Sequence, residues 1–414
     1  MKKYLIFIAG ALLLTACSND EVQTDDGGYK PSSDAIGFDA AYDGTDDAQT
    51  RAYGDIFNDV ALQGNAIGVF ASYTGDLTYE NTTVSPNFMW NQKVSYSSGG
   101  WSYAPLKYWP NTANEYVSFF AYAPHEAVPQ DDGTKCIIDI SDNNDKGDPW
   151  VNYRLASKPW PKDETGTAVT PNQIDLLYGT KREGTSASYT YKPWTDVKRQ
   201  STTDNVKFTF KHALACIGNQ ITIATSSELN GLILNYSRVI VYGIKIEYKN
   251  LTTKARLVLN SGNGTPNWKE IISGELTTNR TYLNMFAAGM QFDGSSVTAV
   301  NIPYLNAAAG GAAPAAASTE GDGLFYIPIQ VAGTEKATAT VTLFYRVQIL
   351  ANGSYIPATS EDPAEAKATF DIPINNMEGK KQGIALTLGK DYELLHLVYT
   401  LGGTASEPSY SPKR

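Results

Sequence analysis

Short runs of alternating apolar and polar residues follow one another along most of this chain. The first run covers residues 36–42, in which Ile36, Phe38, Ala40 and Tyr42 fall on one face at a period of two. Alternation of this kind predicts a half-buried β-strand. Similar runs, rich in Val, Ile, Phe, Tyr and Thr, predict further strands in the first half at 66–73, 117–122, 136–140, 206–211 and 217–224.

The second half shows the same pattern, with turn clusters between the runs. Strands are predicted at 237–248, 255–260, 324–331, 337–350, 368–374, 383–389 and 392–401. The only helical turn that the sequence suggests is at 363–366. Spacing of this kind predicts an all-β protein made of two antiparallel β-sandwich domains in series. The predicted domains are residues 52–225 and 226–414.

The N-terminus has the layout of a secretory signal peptide. Lys2 and Lys3 precede an apolar run at 4–14, and Leu14-Thr-Ala-Cys17 is followed by polar residues. Small residues directly before a cysteine resemble the lipobox of bacterial lipoproteins. We therefore predict a signal peptide at 1–16 and a lipid on the Cys17 thiol that anchors the chain in an outer membrane. The alternative is an ordinary signal peptide that contains a cysteine.

Composition argues against several classes of function. The formal net charge of the 414 residues is -10, which offers no basic face for nucleic acid. His125, His212 and His396 lie on separate segments without ligand spacing, so we predict no metal, no cofactor and no enzyme activity. The chain contains two cysteines beyond Cys17, Cys136 and Cys216. They either form a disulfide or are small buried side chains, and the apolar run around Cys216 favours burial.

Tryptophans suggest a second kind of surface. Lys-Pro-Trp occurs twice, ending at Trp160 and at Trp194. Flat aromatic faces beside polar groups stack on sugars, which makes these two residues candidate glycan contacts. Tryptophans equally cap the ends of β-sandwiches, with the ring buried and the indole N–H satisfied at the rim. The sequence leaves both interpretations open.

A basic residue stands in the loop after the first predicted strand. Thr50-Arg51-Ala52 lies in an acidic, turn-rich segment, and a cut between Arg51 and Ala52 would release the strand at 36–42 together with its lipid. The sheet would then have an unpaired edge, which favours pairing with another strand. Residues 392–401 are a candidate donor, with Leu395, Leu397, Tyr399 and Leu401 on one face. The alternative is that both segments pair within one molecule.

Several short motifs resemble the fimbrillin family, the type V pilins of Bacteroidia. They are Leu14-Thr-Ala-Cys17, Ile36-Gly-Phe38 with Thr50-Arg51-Ala52 after it, Tyr108-Trp109-Pro110 leading to Val117-Ser-Phe-Phe-Ala-Tyr-Ala-Pro124, Asp175-Leu-Leu-Tyr-Gly179 and Val206-Lys-Phe-Thr-Phe-Lys-His-Ala-Leu214. Beyond residue 225 only the general strand pattern supports the resemblance.

The resemblance implies two transthyretin-like sandwiches and a structural or tip subunit of an adhesive fimbria. It further implies trimming by an arginine-specific protease after Arg51, which makes residues 17–51 a propeptide, and strand exchange with other pilin subunits. A glycan or protein receptor is the implied adhesive partner. The polar tail at 402–414 departs from a simple stalk subunit, so a tip or accessory role stays open. The rival hypothesis is a monomeric surface lipoprotein that binds glycans through its tryptophans.

Overall fold

The structure is a computed structural model. It describes residues 34–43, 54–81, 83–186, 188–199, 204–226, 237–271, 277–293, 296–298, 305–307, 323–356, 364–391 and 394–401. Within these ranges no helix is both long enough and apolar enough to cross a membrane.

Strands dominate the first half because β-branched and aromatic residues alternate there with polar ones. In chain order they are β1 (Phe38–Tyr42), β2 (Ile67–Gly75), β3 (Met89–Ser97), β4 (Gly100–Ser102), β5 (Tyr116–Ala123), β6 (Ile137–Ile140), β7 (Trp150–Arg154), β8 (Leu177–Thr185), β9 (Ser188–Lys192), β10 (Trp194–Val197), β11 (Val206–His212) and β12 (Ala215–Thr225).

The second half continues in the same way. Its strands are β13 (Ser237–Thr252), β14 (Lys254–Val258), β15 (Asn267–Glu270), β16 (Thr277–Asp293), β17 (Ser296–Thr298), β18 (Leu305–Ala307), β19 (Leu324–Tyr326), β20 (Thr338–Ala351), β21 (Ser354–Ile356), β22 (Ala364–Asp371), β23 (Lys381–Asp391) and β24 (Leu394–Leu401). The prediction of a helical turn at 363–366 is wrong, because β22 begins there and pairs with β20.

The helices in the described residues are short. The α-helix α1 (Asp59–Gln63) was not predicted, and 3₁₀ turns lie at Tyr79–Asn81 and Gly262–Gly264. Asn58 caps α1, since its side chain accepts a hydrogen bond from the Ala61 N–H at 2.8 Å.

Among the described residues the strands form four sheets. A nine-stranded sheet has the order β1-β11-β8-β5-β2-β3-β4, with β10 on β5 and β9 on β8. A six-stranded sheet runs β17-β16-β13-β20-β21, with β22 on β20. A five-stranded sheet runs β18-β12-β23-β24, with β19 on β12, and a four-stranded sheet runs β15-β14-β7-β6. The predicted all-β class is therefore confirmed.

The pairing departs from purely antiparallel sandwiches. Strand β1 pairs with β11 in parallel, and β12 pairs in parallel with both β18 and β23. The sequence pattern reports which residues alternate and not which way a neighbour runs, so it could not predict these directions. Sheets also combine strands from both sides of the predicted boundary at residue 225, since β7 pairs with β14. The division into two domains stays a prediction.

The core consists of two buried hydrophobic clusters in the described part of the chain. They meet at β5, where Phe119 belongs to one cluster while Phe120 and Tyr122 belong to the other. A central strand covered on both faces explains why β5 is a nearly continuous apolar run. Cys136 and Cys216 are separate buried thiols, as the apolar run around Cys216 predicts.

Trp160 and Trp194, for which the sequence leaves both glycan contact and burial open, are buried. Trp160 is 4% exposed and its ring packs against Tyr248 and Tyr282. Trp194 is 8% exposed and its Nε1–H donates a hydrogen bond to the Lys207 carbonyl at 3.0 Å. Both rings are therefore packed inside the protein, as large apolar side chains with a satisfied indole N–H often are.

Candidate functional site: the edge strand β1 and its surroundings

Strand β1 lies at one end of the nine-stranded sheet. It pairs in parallel with β11, from Phe38 opposite Val206 to Tyr42 opposite Phe210. At its two ends the Val206 N–H donates to the Gly37 carbonyl and the Asp43 N–H donates to the Phe210 carbonyl, both at 2.9 Å. The ladder hydrogen bonds of β1 therefore depend on one neighbour.

In the described part of the chain, the outer edge of β1 forms hydrogen bonds only near the two ends of the strand. Before the strand, the Ile36 N–H donates to the Lys107 carbonyl at 2.8 Å, and the Tyr103 hydroxyl donates to the Ile36 carbonyl at 2.8 Å. At the other end, the Tyr42 N–H donates to Asp59 Oδ1 at 2.6 Å. No second strand pairs with β1 among the described residues, so it is an edge strand.

The inward face of β1 is the face that the alternation predicts. Phe38 lies between Phe119 and Phe208, with ring centroids 5.9 and 6.0 Å away. Burying a side chain such as Phe38 contributes roughly 1.5–3 kcal/mol. The buried members of the face are Ile36 (1% exposed), Phe38 (1%) and Tyr42 (9%), and Ala40 is half-buried against them.

Ion pairs anchor both ends of the segment. The Asp34 carboxylate accepts from the Arg199 guanidinium, and Asp43 Oδ1 lies 3.4 Å from Arg182 Nη1. The two carboxylates are nearly buried while the two guanidinium groups are about one third exposed. Arg182 lies on β8 and Arg199 follows β10, so loss of β1 would separate both guanidinium groups from these carboxylates.

Tyr42 connects β1 to charged groups inside the protein. Its hydroxyl lies 2.8 Å from His212 Nε2, and His212 Nδ1 lies 2.7 Å from Asp175 Oδ2. Asp55 lies beside Asp175 and binds Lys381 Nζ at 2.5 Å. We call Tyr42, Asp55, Asp175, His212 and Lys381 the buried polar network. It joins the end of β1, the chain just after the undescribed residues 44–53, and the start of β23.

Burial and charge shift the pKa values in the network. Burial lowers the pKa of His212, but the Asp175 carboxylate outweighs this and the net direction is upward. Burial and the Asp175 charge raise the pKa of Asp55 against the opposing effect of Lys381. Burial lowers the pKa of Lys381, but Asp55 reverses that direction and the net pKa is raised. The network thus favours protonated His212 and Lys381 facing the two carboxyl groups.

The same groups also have the composition of a small cation site. Ligand atoms of Asp55, Asp175 and His212 lie within 4.8 Å of one another. However, the Lys381 ammonium already forms an ion pair with the Asp55 carboxylate, and His212 Nδ1 is hydrogen-bonded to the Asp175 carboxylate. The protein supplies its own positive charge here, so we assign the network to strand positioning and derive no metal chemistry from it.

The sequence did not reveal the role of His212. Asp55, Asp175, His212 and Lys381 are far apart along the chain, and only the parallel β1–β11 pairing brings Tyr42 next to the imidazole. A usable signal was the position of His212 at the end of the apolar strand that carries Phe208 and Phe210. A polar residue in such a run is expected to have a buried partner.

The structure describes only some of the remaining predicted site residues. Cys17, Arg51 and Ala52 lie outside the described residues; the chain leaves β1 at Asp43 and is described again from Gly54. Strand β24 pairs antiparallel with β23 at the end of its sheet. The side chains of Leu395, Leu397, Tyr399 and Leu401 lie outside the description. In this single chain both segments pair internally, which is the arrangement that the sequence had left open as the alternative.

Comparison with known proteins gives consistent matches. The family described as fimbrillin-like matches residues 50–389. The fimbrium subunit Fim1C of Phocaeicola vulgatus is 28% identical over 274 residues, which are 65% of this chain and 62% of that protein. This chain therefore spans less than two thirds of that relative's length. A crystal structure of a fimbrial protein from Bacteroides vulgatus has a TM-score of 0.56 at 19% identity, covering 89% of this chain and 99% of that one. That likeness concerns the fold.

Proposed function

We propose that this chain, which belongs to the fimbrillin-like family, is a structural or tip subunit of a type V fimbria that supports cell adhesion. The observation that carries the proposal is the position of β1. It is an edge strand whose inward face fills the core, and the chain after it runs directly into the segment that contains Arg51. A single cut there detaches a whole core-filling strand.

Maturation follows from that arrangement. The precursor is exported with the signal peptide 1–16 and anchored in the outer membrane by the lipid on Cys17. An arginine-specific protease then cuts between Arg51 and Ala52, and residues 17–51 leave with β1. The backbone of β11 and the apolar pocket around Phe208 become available at the surface, which favours addition of a new strand.

The new strand comes from the C-terminus of another subunit. Residues 392–401 offer Leu395, Leu397, Tyr399 and Leu401 on one face, and their strand β24 is itself an edge strand. Exchanging one set of ladder hydrogen bonds for another changes the free energy by about 1 kcal/mol or less per bond. The stability of the fibre therefore comes from apolar side chains in the groove, each contributing roughly 1.5–3 kcal/mol.

This assignment defines the partners. They are other pilin subunits on both sides, the arginine-specific protease, the outer membrane before the cut, and a glycan or protein receptor for adhesion. The mature product is a cell-surface fimbria, and its work is assembly and attachment with no catalytic step. With Trp160 and Trp194 buried, the rival hypothesis of a glycan-binding monomer has no support from those two residues.

Arg51→Ala is expected to block both the cut and assembly. Purified full-length protein treated with an arginine-specific protease should yield one N-terminal fragment and, for the wild type, a ladder of oligomers on unheated gels. The variant should stay uncut at this loop and monomeric. Lys30→Ala is the matched control for loss of a basic residue and should behave as the wild type, because the protease does not cut after lysine and Lys30 precedes β1. Wild-type protein that is fully cut after Arg51 and stays monomeric would contradict the proposal.

A further inference from the structure

The face that β1 presents to the core is apolar except at one point. Three positions carry Ile36, Phe38 and Ala40, and the fourth carries the hydroxyl of Tyr42 against His212. The side chain of His212 is only 5% exposed, so little solvent is in contact with its ring in the folded chain. Any strand that takes the place of β1 must therefore satisfy an imidazole nitrogen at this position.

We propose that His212 is the specificity-determining residue of the groove beside β11: it requires a strand with a hydroxyl group at the position of Tyr42, and Tyr399 of a second copy of this chain supplies it. The inference rests on the proposed strand exchange and adds the register and the selectivity of that exchange.

The orientation of the His212 imidazole ring is fixed by a neighbouring carboxylate and does not depend on the strand in the groove. Asp175 Oδ2 holds Nδ1 at 2.7 Å, and Asp175 is itself fully buried and accepts a weak hydrogen bond from the Ile56 N–H at 3.4 Å. Nε2 consequently points at the groove whichever strand is there. An aliphatic side chain at this position leaves a buried polar nitrogen without a partner, which disfavours the complex.

The donor sequence has one alignment that meets this requirement and fills the places of Ala40 and Phe38 with leucines, while Glu393 falls at the place of Ile36, just before the strand. If the donor runs parallel to β11, as β1 does, and Tyr399 takes the place of Tyr42, then Leu397 replaces Ala40 and Leu395 replaces Phe38. Running the other way from Tyr399 places Leu401 and Gly403 at those positions. Gly403 leaves the phenylalanine pocket empty.

Other registers of residues 392–401 place an unsuitable side chain at one of these positions. A shift by two residues puts Leu397 or Leu401 against His212, without a hydroxyl. Using the opposite face puts Thr400 against His212, but then His396 falls in the pocket that Phe38 fills. An imidazole among Phe119 and Phe208 would lack a hydrogen-bond partner. The hydroxyl requirement therefore selects one register out of the alternatives.

The first experiment tests the requirement on the intact, uncut chain, so it does not depend on strand exchange. Hydrogen exchange of the amides at 38–42 reports opening of β1. Tyr42→Phe should speed this exchange by roughly ten- to 150-fold, the range for losing a hydrogen bond to a charged group. In a His212→Leu background the same change should alter exchange by less than about twofold, as a double-mutant cycle requires. His212→Phe is the second background, in case His212→Leu does not fold, because it keeps an aromatic ring and has no nitrogen that could bind the Tyr42 hydroxyl.

The second experiment tests the donor. After the cut at Arg51, Tyr399→Phe should assemble about tenfold more slowly than the wild type, because the same charged-group hydrogen bond is missing. Tyr392→Phe is the matched control, since it removes a hydroxyl at an alternating position on the other face, and should assemble as the wild type does.

The outcomes separate the two proposals. Equal exchange in Tyr42→Phe and the wild type, or an equal effect of Tyr42→Phe in every background, overturns the role of His212. Assembly of Tyr399→Phe at the wild-type rate overturns Tyr399 as the supplied hydroxyl. If wild-type protein fails to assemble after the cut, the proposed function falls together with the Tyr399 assignment, and the exchange cycle on the intact chain still decides whether His212 requires a hydroxyl.

Discussion

Deletion of residues 392–414 is expected to abolish self-assembly of the cut protein while preserving its ability to accept a strand. The deletion removes β24, which occupies an edge of the five-stranded sheet and, among the described residues, pairs with β23 alone, although it also packs near β22. The rest of that sheet keeps its pairing. A cut, truncated subunit should therefore cap the growing end of wild-type oligomers, and gels of mixtures should show shorter ladders as its proportion rises.

Deletion of 402–414 alone is the matched control for the donor assignment. This polar tail follows β24, and its loss should leave ladders at least as long as those of the wild type. Ladders of normal length from protein lacking 392–414 would contradict the assignment of the donor strand, and absence of capping in mixtures would contradict an open groove beside β11.

Asp175→Asn is expected to cause the largest loss of stability, about 3–5 kcal/mol in the free energy of unfolding, the range for breaking a buried ion pair. The Asp175 side chain is fully buried, and its replacement leaves His212 without its counter-charge. Chemical denaturation of the uncut chain measures the effect. Asp131→Asn is the matched control, because Asp131 pairs with Arg154 and Lys254 at the surface and is 42% exposed; its loss should amount to less than about 1 kcal/mol.

The difference in the free energy of unfolding between the wild type and Asp175→Asn should depend on pH. The pKa of His212 is higher in the folded protein than its ordinary value of 6.5, so its contribution is complete below pH 6.5 and is lost as pH rises through the raised pKa. The raised pKa of Asp55 acts in the same direction. The difference between the wild type and Asp175→Asn should therefore be larger at pH 6 than at pH 9. Besides the network, the charged groups that line the space next to His212 are Asp43, Lys211, Glu378 and Lys380. A difference that is constant or grows with pH would contradict the ion-pair assignment.

The local alternation of apolar and polar residues was sufficient to predict strand β1. The period-two pattern at 36–42 gives both the existence of β1 and its inward residues, because alternation along a strand depends only on neighbouring positions. The same applies to β5, β11 and β20, whose apolar runs match the observed strands within a few residues.

Relations between distant segments could not be obtained in this way. No local sequence pattern shows that β1 runs parallel to β11, or that β7 and β14 share a sheet across the predicted domain boundary. The network was missed for the same reason, since the Asp175–His212 and Asp55–Lys381 pairs are formed only by the tertiary fold. The choice between glycan contact and burial for Trp160 and Trp194 was left open for the same reason, since the neighbours that cover the two rings are distant along the chain.

Intersubunit disulfide formation tests the central claim, that the place of β1 beside β11 is taken by the C-terminal strand of another copy. In the precursor Asp39 lies opposite Lys207, an exposed position on β11. With Tyr399 in the place of Tyr42, His396 of the donor falls where Asp39 was. Neighbouring strands are close enough for a disulfide, which needs Cα atoms about 4.4–6.8 Å apart.

The measurement combines Lys207→Cys with one of Leu394→Cys, His396→Cys or Val398→Cys and follows covalent oligomers on non-reducing gels under oxidising conditions, before and after the cut at Arg51. Lys207→Cys alone controls for the native thiols. We predict covalent ladders only after the cut, strongest with His396→Cys. Non-covalent ladders that form normally while none of the three donor positions cross-links to position 207 would contradict strand exchange at this groove.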